Sequence, residues 1–354
     1  MFLRNAWYAA AWDSEVKQDL HATVLLGEPI VLYRKLDGSV VALEDACPHR
    51  KLPLSMGRLH GDVVECGYHG LTFDGAGACV KAACVSRIPQ AAQVRSYPVE
   101  ERYGLVWLWM GEPQLADPGK LLDIPEWDDP DWGINRGDSM TVDCNYLYMT
   151  DNLLDPSHVA WVHQSTFGTS ACESEPLQTQ VNEDGVVVSR WLYDIDVAPF
   201  YQQYLKFAGR CDRLQYYEVR YPAHAIIKGV HTPAGHGGDG TPPHPQAFLM
   251  DSYNFMTPVD ENRTRYYWFQ LRNFDAADEG VSRQFAADVR RAFEEDRVIL
   301  AAVHAGMKHR QSANIDLAID SGPLRFRRGM ERLIREEQAA AGKQLNTLEV
   351  QAHA

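Results

Sequence analysis

The chain has 354 residues and a formal charge of −14, from 34 basic and 48 acidic side chains. This length predicts two domains, each large enough for its own hydrophobic core. The excess of negative charge argues against a nucleic acid or an anionic membrane as partner. No segment approaches the apolar length that a membrane span needs.

Cysteine usage bears on the cellular compartment. The sequence has seven cysteines, of which two belong to the motifs described below. The other five have no recognisable spacing and are odd in number: Cys79, Cys84, Cys144, Cys172 and Cys211. They are expected to be free thiols in a reducing cytoplasm. The first residues also lack the apolar stretch of a signal peptide, so we expect a cytoplasmic protein.

The first third of the chain is predicted to be β-structure. Apolar and β-branched runs at 23–26 and 30–33 flank a Gly-Glu-Pro turn, and the run at 103–109 is typical of a buried strand. A stretch rich in Pro, Asp and Gly at 111–133 indicates a boundary. We therefore expect one domain over 1–112 and a second over 113–354.

Two similar motifs lie in the first domain, each after a predicted strand. Residues 47–50 read Cys-Pro-His-Arg and residues 66–70 read Cys-Gly-Tyr-His-Gly. Two thiolates on one iron and two imidazoles on the other are the ligands of a Rieske [2Fe–2S] cluster. We predict that Cys47, His49, Cys66 and His69 are those ligands, and that the chain accepts single electrons.

Two other kinds of site contain the same residue types. Two Cys and two His can hold a structural zinc ion, and isolated cysteines are often small buried apolar residues. Zinc fingers, however, usually pair Cys with Cys, whereas each motif here is mixed. Pro48, Gly67 and Gly70 also suit tight loops that bring main-chain N–H groups close to cluster sulfurs.

The rest of the chain mixes strand and helix signals. Runs at 186–188, 216–221 and 265–270 predict strands of an antiparallel sheet, and the pattern from 282 to about 307 is helical. The segment 229–245 is rich in Gly, Pro and His. Its composition predicts a mobile loop that could act as a lid.

A second metal site is predicted in this part of the chain. His158 and His163 follow a carboxylate-containing segment at 151–155. Two His and one carboxylate with open positions form the facial triad of non-haem Fe(II) oxygenases. Isolated histidines are more often core or surface residues, but an electron-accepting cluster in the same chain favours the iron interpretation.

Helical phase selects the third ligand. Asp296 falls on the apolar stripe that contains Val289, Phe293, Leu300 and Val303, and Glu294 and Glu295 point away from it. A buried carboxylate needs a partner, which is iron in this interpretation and an arginine or main-chain groups in the alternative. We predict His158, His163 and Asp296 as the iron ligands.

Neighbouring polar residues are candidates for supporting roles. Asn152 is expected to hydrogen-bond to the iron site or to ligate the metal weakly. Asp155 is the candidate to hold the second nitrogen of the His158 imidazole. Asp151 is expected to act near the site or to cap local structure.

Together these motifs resemble the Rieske non-haem iron oxygenases over essentially the whole chain, and most closely the group of vanillate O-demethylases, toluenesulfonate methyl-monooxygenases and dicamba demethylases. Further carriers of this resemblance are Arg-Asn-Ala-Trp-Tyr at 4–8, Gly-His-Gly-Gly at 235–238 and Asn-Ile-Asp at 314–316. Leu52 and Tyr68 stand where respiratory Rieske proteins have a disulfide, which favours the lower-potential oxygenase type.

The resemblance implies an α+β fold, with an N-terminal Rieske β-domain followed by a helix-grip (START-like) domain with an antiparallel sheet and a long C-terminal helix. It implies a homotrimer in which the carboxylate of Asp155 bridges His158 to the cluster ligand His69 of a neighbouring subunit. It also implies a separate reductase, with or without a ferredoxin, because the sequence has no Gly-rich nucleotide-binding loop.

The implied function is that of the terminal oxygenase of a monooxygenase. Dioxygen and NAD(P)H electrons would oxidise a methyl group of a substituted aromatic, with O- or N-demethylation releasing formaldehyde. The alternatives are methyl or ring hydroxylation without demethylation and, from a different class, a Rieske electron carrier. A zinc-binding module is the third and weakest interpretation.

The sequence does not choose among a methoxybenzoate, an N-alkylated xenobiotic and an arylsulfonate as substrate. Six aromatic residues are candidates for a substrate pocket, although such residues more often belong to the core: Tyr146, Tyr148, Trp161, Phe167, Phe200 and Trp268. His231, His236 and His244 are candidates to bind a substrate carboxylate or phenolate, with a solvated loop as the alternative.

Overall fold

The structure is a computed structural model that describes residues 1–83, 85–173, 175–309 and 311–352, with the main chain alone over 343–352. Cys84 lies outside the described residues. The chain forms two compact units. The first contains Met1–Leu122, Thr257–Asp260 and Glu337–Ala354, and the second contains Asp123–Met256 and Glu261–Glu336. The predicted division after residue 112 stays a prediction.

The first unit is built from β-strands, as its short apolar runs predicted. Its strands are β1 (Trp7–Trp12), β2 (His21–Leu25), β3 (Glu28–Arg34), β4 (Val40–Glu44), β5 (Arg58–His60), β6 (Val63–Glu65), β7 (Thr72–Phe73), β8 (Cys79–Lys81), β9 (Val99–Arg102) and β10 (Leu105–Trp109). They form three antiparallel sheets in the orders β1-β10-β9, β2-β3-β4 and β5-β6-β7-β8.

Strand β3 is buried on both faces and separates two hydrophobic cores. Ile30 and Leu32 belong to one core, whereas Val31 and Tyr33 belong to the other. This division follows from the alternation of side chains along a strand. The core on the Val31 side also contains Cys47 and Cys66. Strand β3 therefore contributes to the hydrophobic core that supports the two motif loops.

The second unit is organised around one large antiparallel sheet. Its strands are β11 (Gly133–Val142), β12 (Gln178–Val181), β13 (Gly185–Ile195), β14 (Cys211–Arg220), β15 (His224–Pro233), β16 (Phe248–Asp260) and β17 (Arg263–Arg272). The spatial order is β11-β17-β16-β15-β14-β13-β12. The predicted antiparallel sheet is confirmed, although the last residues of β16, Thr257–Asp260, belong to the first unit.

Helices complete this architecture: α1 (Tyr146–Asn152), α2 (Val159–Val162), α3 (Pro199–Gln202), α4 (Glu279–Gly306) and α5 (Ser321–Ala352). The carboxylate of Asp278 caps α4 by accepting the main-chain N–H groups of Gly280 and Val281 at 2.7 Å and 3.0 Å. The predicted α+β fold, with an antiparallel sheet and a long C-terminal helix, is confirmed. Among the described residues, no helix combines the length and hydropathy needed to cross a bilayer.

The segment 229–245 differs from its prediction as a mobile loop. Strand β15 runs to Pro233, so the first part of the segment belongs to the sheet. In the remainder, the carboxylate of Asp212 accepts the N–H groups of Gly235 and Gly237, each at 2.8 Å. Composition alone could not reveal this anchor, because it comes from another strand.

Candidate metal centres

The two motif loops of the first unit have the same main-chain hydrogen bonds. The Cys47 N–H donates to the Leu52 carbonyl at 2.9 Å, and the Cys66 N–H donates to the Leu71 carbonyl at 2.8 Å. The residue four positions after each cysteine donates back to the cysteine carbonyl, at 2.8 Å from Lys51 and 3.1 Å from Gly70. The similar motifs therefore fold into two equivalent loops.

Both loops need unusual main-chain geometry. Lys51 and Gly70, at equivalent positions, have φ values of 59° and 66°, in the left-handed region. A Cβ on Gly67 would lie 2.9 Å from the Met56 carbonyl oxygen, which is too close. The glycines of the second motif thus permit a tight loop and a close approach of two chain segments.

The four predicted cluster ligands come together at the tips of these loops. The Cys47 and Cys66 side chains are buried, and the rings of His49 and His69 are 4.5 Å apart between centroids. Nδ1 of His69 is buried and has no hydrogen-bond partner. A buried imidazole nitrogen without a partner beside two buried thiols fits a metal cluster better than an apolar core.

The electrostatics of Cys47 reflect this arrangement. Burial raises the pKa of the Cys47 thiol, hydrogen bonds from the His49 and Arg50 N–H groups lower it, and the adjacent Cys66 side chain raises it further. The loops therefore direct main-chain N–H groups at a sulfur, as expected for a cluster whose sulfurs accept hydrogen bonds.

The second unit brings His158, His163 and Asp296 together. One potential ligand atom from each of the three lies within 4.8 Å of the others. Nε2 of His163 is 3.2 Å from Oδ1 of Asp296, and Nε2 of His158 is 3.7 Å from the same oxygen. The donor set is the two-His, one-carboxylate set that non-haem Fe(II) uses.

The other nitrogen of each imidazole is already occupied. Nδ1 of His163 hydrogen-bonds to a carboxylate oxygen of Glu295 at 2.7 Å, and Nδ1 of His158 hydrogen-bonds to the main-chain carbonyl of Asp155. These partners fix the ring orientations and direct each Nε2 towards the Asp296 carboxylate, where a metal ion would bind. The residues present therefore fit a mononuclear iron ion.

The electrostatic environment also favours the charged forms of Asp296 and His163. Burial would raise the pKa of the Asp296 carboxyl, but the hydrogen bond from His163 and the nearby imidazoles lower it below its usual value. Burial would likewise lower the pKa of His163, but Asp296 and Glu295 raise it. A carboxylate held ionised in a buried position is suited to bind a cation.

The phase argument for α4 was right for Asp296 and Glu294 but wrong for two other residues. Glu294 pairs with Arg297 on the helix surface, with an Nε–Oε1 distance of 2.8 Å. Glu295 was expected to point away, yet its carboxylate accepts hydrogen bonds from His163 and, at 3.3 Å, from the Thr166 hydroxyl. Val303 was placed on the inward stripe and is 42% exposed. The side chain of Glu is long enough to reach the site from the flank of the helix.

The supporting residues occupy more specific positions than the sequence indicated. Nδ2 of Asn152 donates to Oδ1 of Asp296 at 3.1 Å, which agrees with the expected hydrogen bond. Asp155 contacts His158 through its main-chain carbonyl, and its carboxylate instead accepts the Ser157 N–H at 2.8 Å. Asp151 pairs with Arg327 at 2.9 Å from Nε. Asp155 therefore holds the second nitrogen of His158, as expected, and does so through its main chain.

A largely apolar cavity opens beside the triad in the second unit. Its walls include apolar side chains and a small number of polar groups: Leu153, Val159, Phe167, Tyr201, Arg213, Tyr217, Ile227, Met250, Ser252, Gln270, Val289 and Phe293. The three candidate iron ligands complete the lining.

Most of the aromatic residues proposed for this pocket lie elsewhere. Of those six candidates, all within the described residues, Phe167 alone lines the cavity. Trp161 is 66% exposed, and Phe200 packs behind Phe167 with ring centroids 4.6 Å apart. Tyr201, on α3, and Tyr217, on β14, were missed because neither helical phase nor strand alternation gives the distance of a residue from the metal site.

Comparison with known proteins identifies the family. A family model of the Rieske [2Fe-2S] domain matches residues 6–98, and one of the vanillate O-demethylase oxygenase C-terminal domain matches residues 142–336. The chain belongs to the Rieske non-haem iron oxygenases. The resemblance inferred from the motifs is confirmed, and the electron-carrier and zinc-module alternatives do not account for the second match.

Individual relatives cover nearly the whole chain. The iron-sulfur subunit of a toluene-4-sulfonate monooxygenase system from Comamonas testosteroni is 37% identical over 95% of this chain and 98% of its own length. A vanillate O-demethylase oxygenase subunit from Pseudomonas sp. strain HR199 is 33% identical over 96% of this chain and 97% of its own. These relatives are oxygenase components of monooxygenases.

A solved structure has the same fold. The crystal structure of dicamba monooxygenase bound to 3,6-dichlorosalicylic acid superposes with a TM-score of 0.87 at 31% identity, covering 96% of this chain and 99% of that one. Another structure of that enzyme, with non-haem iron and dicamba, superposes with a TM-score of 0.78. The Rieske [2Fe–2S] and non-haem iron cofactors predicted from the motifs agree with these family members.

Proposed function

We propose that this chain is the oxygenase component that oxidises a methyl carbon of a substituted aromatic, with O- or N-demethylation and release of formaldehyde as the outcome. The observation that carries this proposal is the position of the triad. His158, His163 and Asp296 line the largely apolar cavity, so a bound aromatic ring would lie next to the candidate metal site.

In this proposal Cys47, His49, Cys66 and His69 hold the [2Fe–2S] cluster, and His158, His163 and Asp296 hold Fe(II). When bound, the two groups supply single-electron transfer and dioxygen reduction, respectively. The N–H groups of His49 and Arg50 direct hydrogen bonds to the Cys47 sulfur, which would stabilise a thiolate ligand.

The chain's own residues would then set the geometry of the reaction. Glu295 and the Asp155 carbonyl keep each imidazole with Nε2 directed at the metal position. Asn152 donates to Asp296 and fixes that carboxylate. The apolar walls of the cavity, among them Phe167 and Phe293, would exclude water and orient the aromatic ring.

Partners are part of the same proposal. The curated relatives are named as a subunit or component of larger systems, which supports a separate reductase, with or without a ferredoxin, as the source of NAD(P)H electrons. We also propose a homotrimer in which Asp155 links the iron ligand His158 to the cluster ligand His69 of a neighbouring subunit. We further propose a cytoplasmic location, which agrees with the four described cysteines outside the cluster motifs, since Cys79, Cys144, Cys172 and Cys211 are free thiols.

The test is a formaldehyde assay with the purified protein, a broad-specificity reductase, NADH and a panel of methoxy-, N-methyl- and methyl-substituted aromatics. We expect formaldehyde in step with NADH oxidation for at least one methoxy or N-methyl compound. Hydroxylated product without formaldehyde from every member of the panel would overturn demethylation.

Methyl hydroxylation without fragmentation is the second candidate function. It is favoured by the 37% identity to the toluene-4-sulfonate monooxygenase subunit, because the methyl group of that named compound is bonded to carbon. An alcohol formed on such a carbon has no oxygen or nitrogen leaving group, so no formaldehyde would be released. The same assay separates the two candidates by product.

A further inference from the structure

An arginine in the wall of the cavity makes fewer hydrogen bonds than its buried guanidinium group could. Arg213 lies on β14 and is 3% exposed. A guanidinium has five N–H donors, yet Arg213 makes two hydrogen bonds, to the Phe167 carbonyl at 2.8 Å and to the Tyr201 hydroxyl at 3.4 Å. Its Nε is buried without a partner. Within the described residues, no carboxylate forms an ion pair with it.

A second buried arginine, by contrast, has a hydrogen-bond partner for each of its three guanidinium nitrogens. Arg190 lies on the neighbouring strand β13 and is 5% exposed. Its Nε donates to the Gln215 side chain at 2.7 Å, and its terminal nitrogens donate to the carbonyls of Glu175, Cys172 and Pro156 at 2.8, 2.9 and 3.3 Å. Arg190 does not line the cavity. Its role is to hold the chain together.

His231 extends the unsatisfied polar region around Arg213. It is directly opposite Arg213 in the register of β14 and β15, so both side chains are on one face of the sheet. Both ring nitrogens of His231 are buried without a hydrogen-bond partner. Burial, and after it the charge of Arg213, hold the pKa of His231 well below its usual value. The imidazole is neutral and therefore adds no positive charge.

Leaving a charge buried and unpaired is costly. Arg190 avoids this cost through carbonyl partners from the fold, whereas Arg213 lines the cavity beside the triad. The remaining N–H groups of a guanidinium match a carboxylate or sulfonate in geometry and charge. The missing partner is therefore expected to arrive with the substrate.

We propose that Arg213 binds the anionic group of the substrate, and that this enzyme acts on aromatic acids, either carboxylates or sulfonates. The proposal deepens the proposed function and rests on it. It favours a methoxybenzoate or an arylsulfonate over a neutral N-alkylated compound. Arg213 is in this sense a specificity-determining residue and takes no part in the oxidation itself.

The position of Phe167 supports this orientation. Its ring centroid lies 5.8 Å from that of His163 and 5.9 Å from that of Tyr201, the residue whose hydroxyl contacts Arg213. Phe167 thus contacts a candidate iron ligand, His163, and also the group around Arg213. An aromatic acid with its anionic group at Arg213 would place its ring against Phe167 and its far substituent towards the triad.

The test measures binding without turnover, by calorimetric titration of the oxidised holoprotein under nitrogen. The probes are 4-methylbenzoate and 4-methylbenzenesulfonate, each compared with its neutral counterpart, 4-methylbenzamide or 4-methylbenzenesulfonamide. For the wild type we expect at least one acid to bind tenfold or more tightly than its amide. The two acids separately show whether a planar or a tetrahedral anion is preferred.

Arg213→Gln should weaken acid binding by about 10- to 100-fold, the usual loss for a hydrogen bond to a charged group. Amide binding should change by less than about twofold. Arg190→Gln is the matched control, because it is the same substitution at a buried arginine on the adjacent strand. We expect it to lower the melting temperature while keeping the acid-to-amide ratio, whereas ligand-free Arg213→Gln should melt no lower than the wild type.

Equal affinity of wild type for each acid and its amide would overturn the proposal, and so would acid binding that survives Arg213→Gln. If Arg213→Gln does not fold, the acid-to-amide affinity ratio of the wild type and the affinities of Arg213→Lys test the proposal instead. Lysine keeps the positive charge but lacks the paired N–H donors of a guanidinium. Acid binding that depends on Arg213 in a protein that forms no oxidised product would refute the proposed function and leave this assignment intact.

Discussion

The cluster loops and the iron centre solve the same problem, the fixing of metal ligands, by different means. The loops take their four candidate ligands from one stretch, 47–69, and position them through main-chain hydrogen bonds and left-handed residues. The iron centre takes its ligands from a turn, from the end of α2 and from α4, and positions them through side-chain partners such as Glu295 and Asn152.

The two centres should therefore be sensitive to different substitutions. A centre held by its main chain should respond to changes in φ or in the space around a Cβ. A centre held by side-chain partners should respond to the removal of single functional groups. Substitutions at the ligands, at their partners and in the loops test that division.

Asp296→Ala should abolish turnover because it removes the charged oxygen on which His158 and His163 converge. We expect the purified variant to lack mononuclear iron while the visible spectrum of the cluster is unchanged, since the cluster loops belong to the other unit. Iron analysis and absorbance together make the measurement. Full occupancy of the mononuclear site would move the third ligand elsewhere, with Glu295 as the next candidate.

Asp155→Asn tests the bridging role that the family resemblance implies. If the carboxylate links the two centres between subunits, the variant should bind both metals and lose most of its turnover, because the link loses its charge. The main-chain carbonyl that holds His158 is unchanged by this substitution. Near-normal turnover would therefore show that the carbonyl suffices and that the carboxylate is not the bridge.

Glu295→Ala should weaken iron binding by about 10- to 100-fold, as is usual when the partner of a metal-ligating histidine is removed. The reason is the 2.7 Å hydrogen bond from Nδ1 of His163. Glu294→Ala is the matched control, because Glu294 is adjacent on α4 and pairs on the surface with Arg297. Competition with a chelator measures both affinities, and equal losses in the two variants would contradict the assignment.

The sequence allowed prediction of those features that depend on local pattern. The cluster ligands lie in two short motifs whose residue types and spacing are specific, so their proximity was predictable. Asp296 was found because a carboxylate on an apolar helical stripe is unusual. Three of the seven strands of the large sheet, β13, β14 and β17, were also indicated by β-branched and aromatic runs.

Contacts that depend on side-chain length or on segments distant in the chain could not be predicted from the sequence. Glu295 lies off the apolar stripe, and only its reach brings it to His163. The atom through which Asp155 meets His158 depends on the turn between them. Arg213 reads in sequence as an ordinary charged residue on a strand, and its isolation from carboxylates is visible only once strands β13 to β15 are assembled.

The smallest effect is expected where the two loops differ in sequence but not in shape. Lys51 and Gly70 are equivalent in hydrogen bonding and both have left-handed φ values, 59° and 66°. A residue with a Cβ pays about 1–2 kcal/mol in that region, and glycine in turn loses about 0.5–1 kcal/mol of chain entropy. A Cβ at Gly70 would meet nothing within 4 Å, so no clash is added.

Gly70→Ala should therefore lower the free energy of unfolding of the holoprotein by about 1 kcal/mol, and Lys51→Gly should raise it by about 0.5 kcal/mol. Urea unfolding followed by cluster absorbance measures both. Changes of opposite sign in the free energy of unfolding would mean that main-chain conformation determines the stability of the cluster loops. The equivalent main-chain hydrogen bonds of the two loops indicate the same. A loss on Lys51→Gly as large as that on Gly70→Ala would mean that the Lys51 side chain, which lies 3.5 Å from a Glu44 carboxylate oxygen, supports its loop instead.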